Sequence, residues 1–147
     1  MMLTRQVCTF EIDGGFFGIE VQRVQEVLRH QEMTRVTLAQ RIIRGLINLR
    51  GQIVMAIDLR RALDLADLGG DHSMNLVVRA HEGPVSFLVD KIMDVVDVDE
   101  STFELPPPNL HPPTKRIVKG SYGCVGNVLL LIDVDAVLAL LDSPTGL

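Results

Sequence analysis

The chain contains two copies of one pattern, and that repetition limits its possible folds more than any other feature. Residues 17–28 (FGIEVQRVQEVL) align with 85–96 (VSFLVDKIMDVV) at an offset of 68, pairing Val21 with Val89, Arg23 with Lys91, Val24 with Ile92, Glu26 with Asp94 and Val27 with Val95. Residues 44–58 (RGLINLRGQIVMAID) align with 119–133 (KGSYGCVGNVLLLID) at an offset of 75, matching Gly45 to Gly120, Gly51 to Gly126, Gln52 to Asn127, Ile57 to Ile132 and Asp58 to Asp133. The extra residues of the second copy fall between positions 96 and 119, where Pro106-Pro107-Pro108 and Pro112-Pro113 lie.

Apolar residues alternate in Cys8, Phe10, Ile12, in Phe17, Ile19, Val21 and in Val85, Phe87, Val89, the period of half-buried strands. Asp13-Gly14-Gly15 and Glu82-Gly83 supply the positive-φ positions of tight hairpins. Asp58 to Leu63 reads as an Asp-capped short helix and Asp135 to Leu141 as another. The pattern predicts an all-β chain with two or three short helices. Each copy is expected to be a small curved sheet that closes on itself as a barrel, with the paired glycines at sharp bends and Ile-Asp leading into a helix. A unit of this size buries little alone, so the two are expected to pack across a seam, with Gly69-Gly70-Asp71 at the crossover.

Composition narrows the function. With 47% hydrophobic and 22% charged residues the chain has material for a core and is not disordered. Its 14 basic and 19 acidic residues, five Phe, one Tyr and no Trp are the reverse of the basic, aromatic surface a nucleic-acid binder needs. The longest uncharged stretch, Gly120 to Ile132, is broken by three glycines and does not read as a membrane span. The opening MMLTRQVCTFEID lacks the apolar core of an export signal, so Cys8 and Cys124 read as buried free thiols in a reducing cytosol.

Catalytic chemistry finds no footing. His30, His72, His81 and His111 stand isolated, without metal-ligand spacing to cysteines or acids. Asp94, Asp97, Asp99 and Glu100 lack the glycine and spacing of a calcium loop and read as a solvated strand end. Asp13-Gly14-Gly15 opens a hairpin, not a phosphate-cradling helix, and Asp58 and Asp133 are equivalent helix caps before they are a catalytic pair. The stretch PPPNLHPP fits a stiff connector better than a polyproline ligand. No enzyme, metal or cofactor is expected.

Divergence between the copies is more informative. Asn48-Leu49-Arg50-Gly51 carries an arginine where Gly123-Cys124-Val125-Gly126 has valine, while the acid is kept as Glu26 and Asp94. Arg50 can therefore pair with Glu26, either as structural glue or as an exposed docking pair. A small ligand-binding module with a pocket between the barrels is the rival reading.

At these residues the chain resembles the CheW family of chemotaxis coupling proteins over nearly its whole length. Phe10 to Val21 resembles the family's first two strands, Val24-Gln25-Glu26-Val27 its V-x-E segment, and Ile43-Arg44-Gly45 with Asn48-Leu49-Arg50-Gly51 its central signature. Ile57-Asp58-Leu59-Arg60 and Leu88 to Val95 continue the resemblance in order. It implies one CheW-like domain over residues 1–147, built as two intertwined five-stranded barrels of the Src-homology-3 type. Residues 14–79 would form the first, and 5–13 with 80–141 the second. It further implies a non-catalytic cytoplasmic adaptor, largely monomeric when free, recruited to membrane-associated receptor arrays without inserting into the membrane. Its partners would be a chemoreceptor cytoplasmic tip and the regulatory domain of a CheA-type histidine kinase. Val24, Glu26, Gly45, Asn48 and Arg50 match positions of receptor docking, and Val21, Val77 and Val78 are the expected kinase-facing residues. Exposed sheet edges are expected to make weak, ring-forming contacts with the kinase. Gln40 and Met55 stand where many members carry proline, which favours an array controlling type IV pili or surface sensing as the alternative to a flagellar one.

Overall fold

The computed structural model describes residues 3–37, 40–67, 73–124 and 126–142. The expected crossover at Gly69-Gly70-Asp71, His72 and the Arg50 counterpart Val125 lie outside the described residues. The strands run β1 (Thr4–Ile12), β2 (Gly15–Glu20), β3 (Val24–Leu28), β4 (Ile43–Leu49), β5 (Gln52–Asp58), β6 (Met74–Ala80), β7 (Gly83–Val89), β8 (Lys91–Asp99), β9 (Val118–Cys124) and β10 (Asn127–Ile132). Three short helices accompany them: α1 (Leu59–Ala62), α2 (Pro112–Ile117) and α3 (Val134–Asp142). The molecule is mostly β, as the alternation predicts.

Two five-stranded sheets form, sheet I in the order β8-β1-β2-β10-β9 and sheet II in the order β3-β6-β7-β5-β4. The repeat reappears as register. Phe17 lies beside Leu130 in sheet I, and Val85 beside Met55 in sheet II, the same pairing moved by the offsets of 68 and 75. Cys8 opposite Val95 and Leu76 opposite Val27 are likewise one pairing seen twice.

The strands are not shared out as expected. β2 pairs with β1 and β10, so residues 15–20 belong to sheet I and not with the rest of 14–79. β7 pairs with β6 and β5, so residues 83–89 belong to sheet II and not with 80–141. Each copy lends its first hairpin to the other's sheet. The cause is local: β7 and β8 are separated by Asp90 alone, and β2 and β3 by the 3-10 turn Val21–Arg23. Neither link has the positive-φ residue that a hairpin reversal uses, so each strand passes on into the neighbouring sheet.

The closed barrels are also not formed. Among the described residues no pairing joins the end strands β8 and β9, or β3 and β4. The free side of β4 is instead taken by Thr34, bridged to Leu46, and that of β9 by Glu104, bridged to Ser121. Gly45 and Gly120 serve these crossings, each beside a register shift of its strand. A Cβ on Gly45 would stand 2.7 Å from the Thr34 carbonyl oxygen, and one on Gly120 2.2 Å from the Phe103 ring and 2.8 Å from the Glu104 carbonyl oxygen. The hairpin glycines are Gly51 and Gly126, with φ of 87° and 73°.

The largest buried cluster draws on both sheets: Phe10, Phe17 and Ile19 from one, Ile57, Leu76, Val78 and Phe87 from the other, closed by Leu59, Ile117 and Val137 of the helices. Each sheet keeps a smaller cluster on its other face, Ile47, Val54, Ala56, Val77 and Leu88 in sheet II and Val7, Val98, Tyr122, Leu129 and Leu131 in sheet I. Burying strands on both faces uses the high apolar fraction.

Candidate docking site

The β4–β5 turn puts two residues in the left-handed region, Arg50 at φ 52° and Gly51 at φ 87°, the pairing a two-residue hairpin turn requires. Asn48 Oδ1 accepts the Gly51 N–H at 2.8 Å and braces the turn. Glycine meets this geometry without strain, whereas a residue with a Cβ, such as arginine, does not. Arg50 nevertheless stands there, and its guanidinium grips Glu26 of β3 with two nitrogens, Nη1 donating to Oε1 at 3.0 Å and Nη2 to Oε2. This two-pronged contact joins the two outer strands of sheet II. The Arg50 side chain is 66% exposed and that of Glu26 22%. The hydrogen bond from Arg50 holds the Glu26 carboxyl below the usual carboxylate range.

The other expected docking residues divide by role. Val24 starts β3, half-buried against the shared core. Asn48 is exposed beside the turn, and Gly45 is buried beneath Thr34. Val21 is half-buried at the start of the 3-10 turn and lines an open groove of about 580 Å³ with Leu3, Arg5, Gln22 and Glu100. Val77 and Val78 have no surface: both are 0% exposed on the inner strand β6, one in each cluster of sheet II. Neither side chain can reach a partner.

Several residues around the start of β3 carried no sequence assignment. Arg79 Nη1 donates to the carbonyls of Val24, at 2.7 Å, and Gln22, at 3.1 Å. Arg23 donates to the Arg79 carbonyl and to Asp135 of α3. The basic residue kept at Arg23 and Lys91 was the only trace of this clamp in the sequence. Across the molecule, Arg60 of α1 reaches Asp90 at 2.5 Å and Asp13 at 3.2 Å, with the Asp13 N–H donating to Asp90 at 2.8 Å.

Asp58 caps α1 by accepting from the N–H groups of Arg60 and Arg61, and Asp133 accepts from Ala136 N–H, as equivalent caps should. Cys8 is buried and Cys124 only partly so; both are free, and burial raises the pKa of each thiol. Among the described residues no group of three or more His, Cys, Asp and Glu gathers as a metal site, and no helix is long and apolar enough to cross a membrane.

The family model of the CheW-like domain matches residues 6–142. A protein of Bacillus subtilis, "Chemotaxis protein CheW", is 30% identical over 134 residues, covering 90% of this chain and 86% of its own. A protein of the same name from Thermotoga maritima is 26% identical over 133 residues, covering 90% and 87%. The crystal structure of the scaffolding protein TtCheW from Thermoanaerobacter tengcongensis has the same fold, with a TM-score of 0.82, 24% identity and 90% of each chain covered.

Proposed function

The chain belongs to the CheW-like domain family, and from that premise we propose that it is a non-catalytic chemotaxis adaptor that joins chemoreceptor cytoplasmic tips to the regulatory domain of a CheA-type histidine kinase. The observation that carries this reading is the exposed Arg50–Glu26 pair, built on a backbone conformation that arginine disfavours. A turn needed only for folding is better served by glycine or asparagine at that position. Asn48 and Gly45 support the pair from below, one bracing the turn and the other admitting the connector that crosses β4.

An adaptor passes a signal only by binding the kinase's states unequally. A switch from 1:99 to 99:1 needs about 10⁴-fold differential affinity. One solvent-exposed ion pair supplies far less, so the pair sets orientation and partner choice while the remaining free energy comes from apolar contact around it. Val21 is the proposed kinase-facing residue, beside the groove at Leu3 and Glu100. Val77 and Val78 act behind it as core. The adaptor would be cytoplasmic, monomeric when free and drawn to receptor arrays, flagellar or, in keeping with Gln40 and Met55, pilus-controlling.

The test is titration of a receptor tip fragment into the wild type, Glu26→Lys, Arg50→Glu and the doubly reversed chain. Each single reversal is expected to weaken binding about tenfold or more, with partial recovery in the double. Equal binding by all four removes the assigned site. A ligand-sensing module is the second reading, favoured by a largely apolar groove of about 530 Å³ between α3, β5 and the β6–β7 turn. A saturable thermal shift with a metabolite and no protein partner would raise it above the adaptor.

A further inference from the structure

The smaller-cluster face of sheet II holds a polar pair that sheet I lacks. Asn75 of β6 and Ser86 of β7, both 0% exposed, correspond at the offset of 68 to Val7 and Gly18. In sheet I the fit is apolar and tight, since a Cβ on Gly18 would lie 2.3 Å from Val7 Cγ1. In sheet II the Ser86 hydroxyl donates to Asn75 Oδ1 at 2.8 Å, and Asn75 Nδ2 donates to the Arg29 backbone carbonyl at 3.2 Å; that carbonyl also accepts from Gln31 Nε2 of the connector itself at 3.1 Å, so Asn75 is its tie to the sheet. Arg29 directly follows β3, and Asn75 stands opposite Leu28, the last residue of that strand. Two buried polar side chains cost desolvation that the twin sheet avoids, and only the bond to Arg29 reaches beyond the pair itself.

The twin ties its outer strand elsewhere. Thr9 donates to the carbonyl of Asp94, at the bulge of β8, whereas the matching position in sheet II is Val77. Sheet I is thus fastened at the bulge, whereas sheet II, which Arg79 clamps at the start of β3, carries a further side-chain tie at the exit of that strand. That exit bears on docking. β3 has β6 as its only neighbour in the sheet, carries Glu26, and continues into the connector whose Thr34 exchanges two 2.8 Å hydrogen bonds with Leu46. Resting on the docking reading above, we propose that Asn75, oriented by Ser86, is a positioning residue for docking: it holds the Arg29 carbonyl and so sets the end of β3 and the connector beside the Glu26–Arg50 pair.

The test installs the sheet I pair. Asn75→Val and Ser86→Gly are made together, because valine at 75 needs the room that glycine at 86 leaves. Asn75→Leu, of similar size but without the donor, runs alongside, with Ser86→Ala as the variant that keeps the Asn75 donor. Native-state amide exchange of the full chain follows Thr34 and Leu46, and each variant is titrated with a receptor tip fragment and with the kinase regulatory domain. Loss of one buried hydrogen bond is expected to speed exchange at Thr34 and Leu46 about tenfold and to weaken tip binding about tenfold, with kinase binding within about twofold of wild type. Ser86→Ala is expected to stay within about threefold of wild type in both readouts. Unchanged protection of Thr34 and Leu46 in whichever donor-lacking variant folds overturns the proposal. If the wild type binds no tip while the connector still loosens, the docking reading falls and the hold on the connector stands.

Discussion

At the scale of single residues, charge and backbone freedom separate positions that look alike in sequence. Glu26 and Asp94 are repeat equivalents, yet only Glu26 faces an arginine, and its ionisation follows from that. Because the folded carboxyl titrates below its unfolded value, the contribution of the pair is fully present above the ordinary carboxylate range and is lost as pH falls through the lowered value. Docking is therefore expected to be flat across neutral pH and to fail only in strong acid, which a titration series at several pH values checks. Gly45 and Gly120 are required by close approach, not by φ. Gly45→Ala is expected to cost about 1–3 kcal/mol in denaturant unfolding, and Gly120→Ala at least as much, because the Phe103 ring and the Glu104 carbonyl must both move. That Arg50 can reach Glu26 was legible from the divergence between copies. The burial of Val77 and Val78 was legible too, since the unbroken apolar run Leu76-Val77-Val78 is the mark of a strand covered on both faces, not of one that faces a partner.

At the scale of elements, capping and turn chemistry decide where strands stop. Asp58 and Asp133 each end a strand and start a helix, but their surroundings differ. Asp58 is 4% exposed and also receives Arg44 at 2.9 Å, whereas Asp133 is half-buried and caps α3 through the Ala136 N–H. Asp133→Ala is expected to cost about 1 kcal/mol, the usual value of a cap, and Asp58→Ala clearly more, as measured by urea unfolding. The proline connector was only half legible. Pro112 and Pro113 begin α2, where a missing N–H and a preset φ suit the first helical turn, so a stretch that reads as a helix breaker also starts one. Both outer strands β3 and β8 carry a register shift at the same repeat position, the kind of irregularity that discourages indiscriminate edge pairing.

At the scale of the molecule, the exchange of hairpins makes each sheet depend on both copies, and two ionic clusters close the seam. Arg60 with Asp90 and Asp13 ties α1 to the β1–β2 turn and the β7–β8 junction, its side chain only 10% exposed and that of Asp90 15%. Arg23 with Asp135 ties α3 to the start of β3, with side chains 31% and 68% exposed. Asp90→Ala removes the nearer of the two carboxylates on Arg60, leaving Asp13 and the Ala66 carbonyl, and is expected to cost about 2 kcal/mol. Arg23→Ala breaks a solvent-screened pair and is expected to cost under about 1 kcal/mol, a contrast that paired thermal melts would read. The sequence by itself determined the strands, the helix caps and the repeat, and singled out Arg50 and Glu26 as residues able to pair, because these depend on neighbours along the chain or on a difference between aligned copies. Only the tertiary structure decided which copy each hairpin joins, that the sheets stay open, and that Arg50 grips Glu26. An alternating strand specifies which face it buries but not the strand that lies beside it. That choice falls to links such as Asp90 and Val21–Arg23, which are too short and too poor in turn residues to reverse the chain.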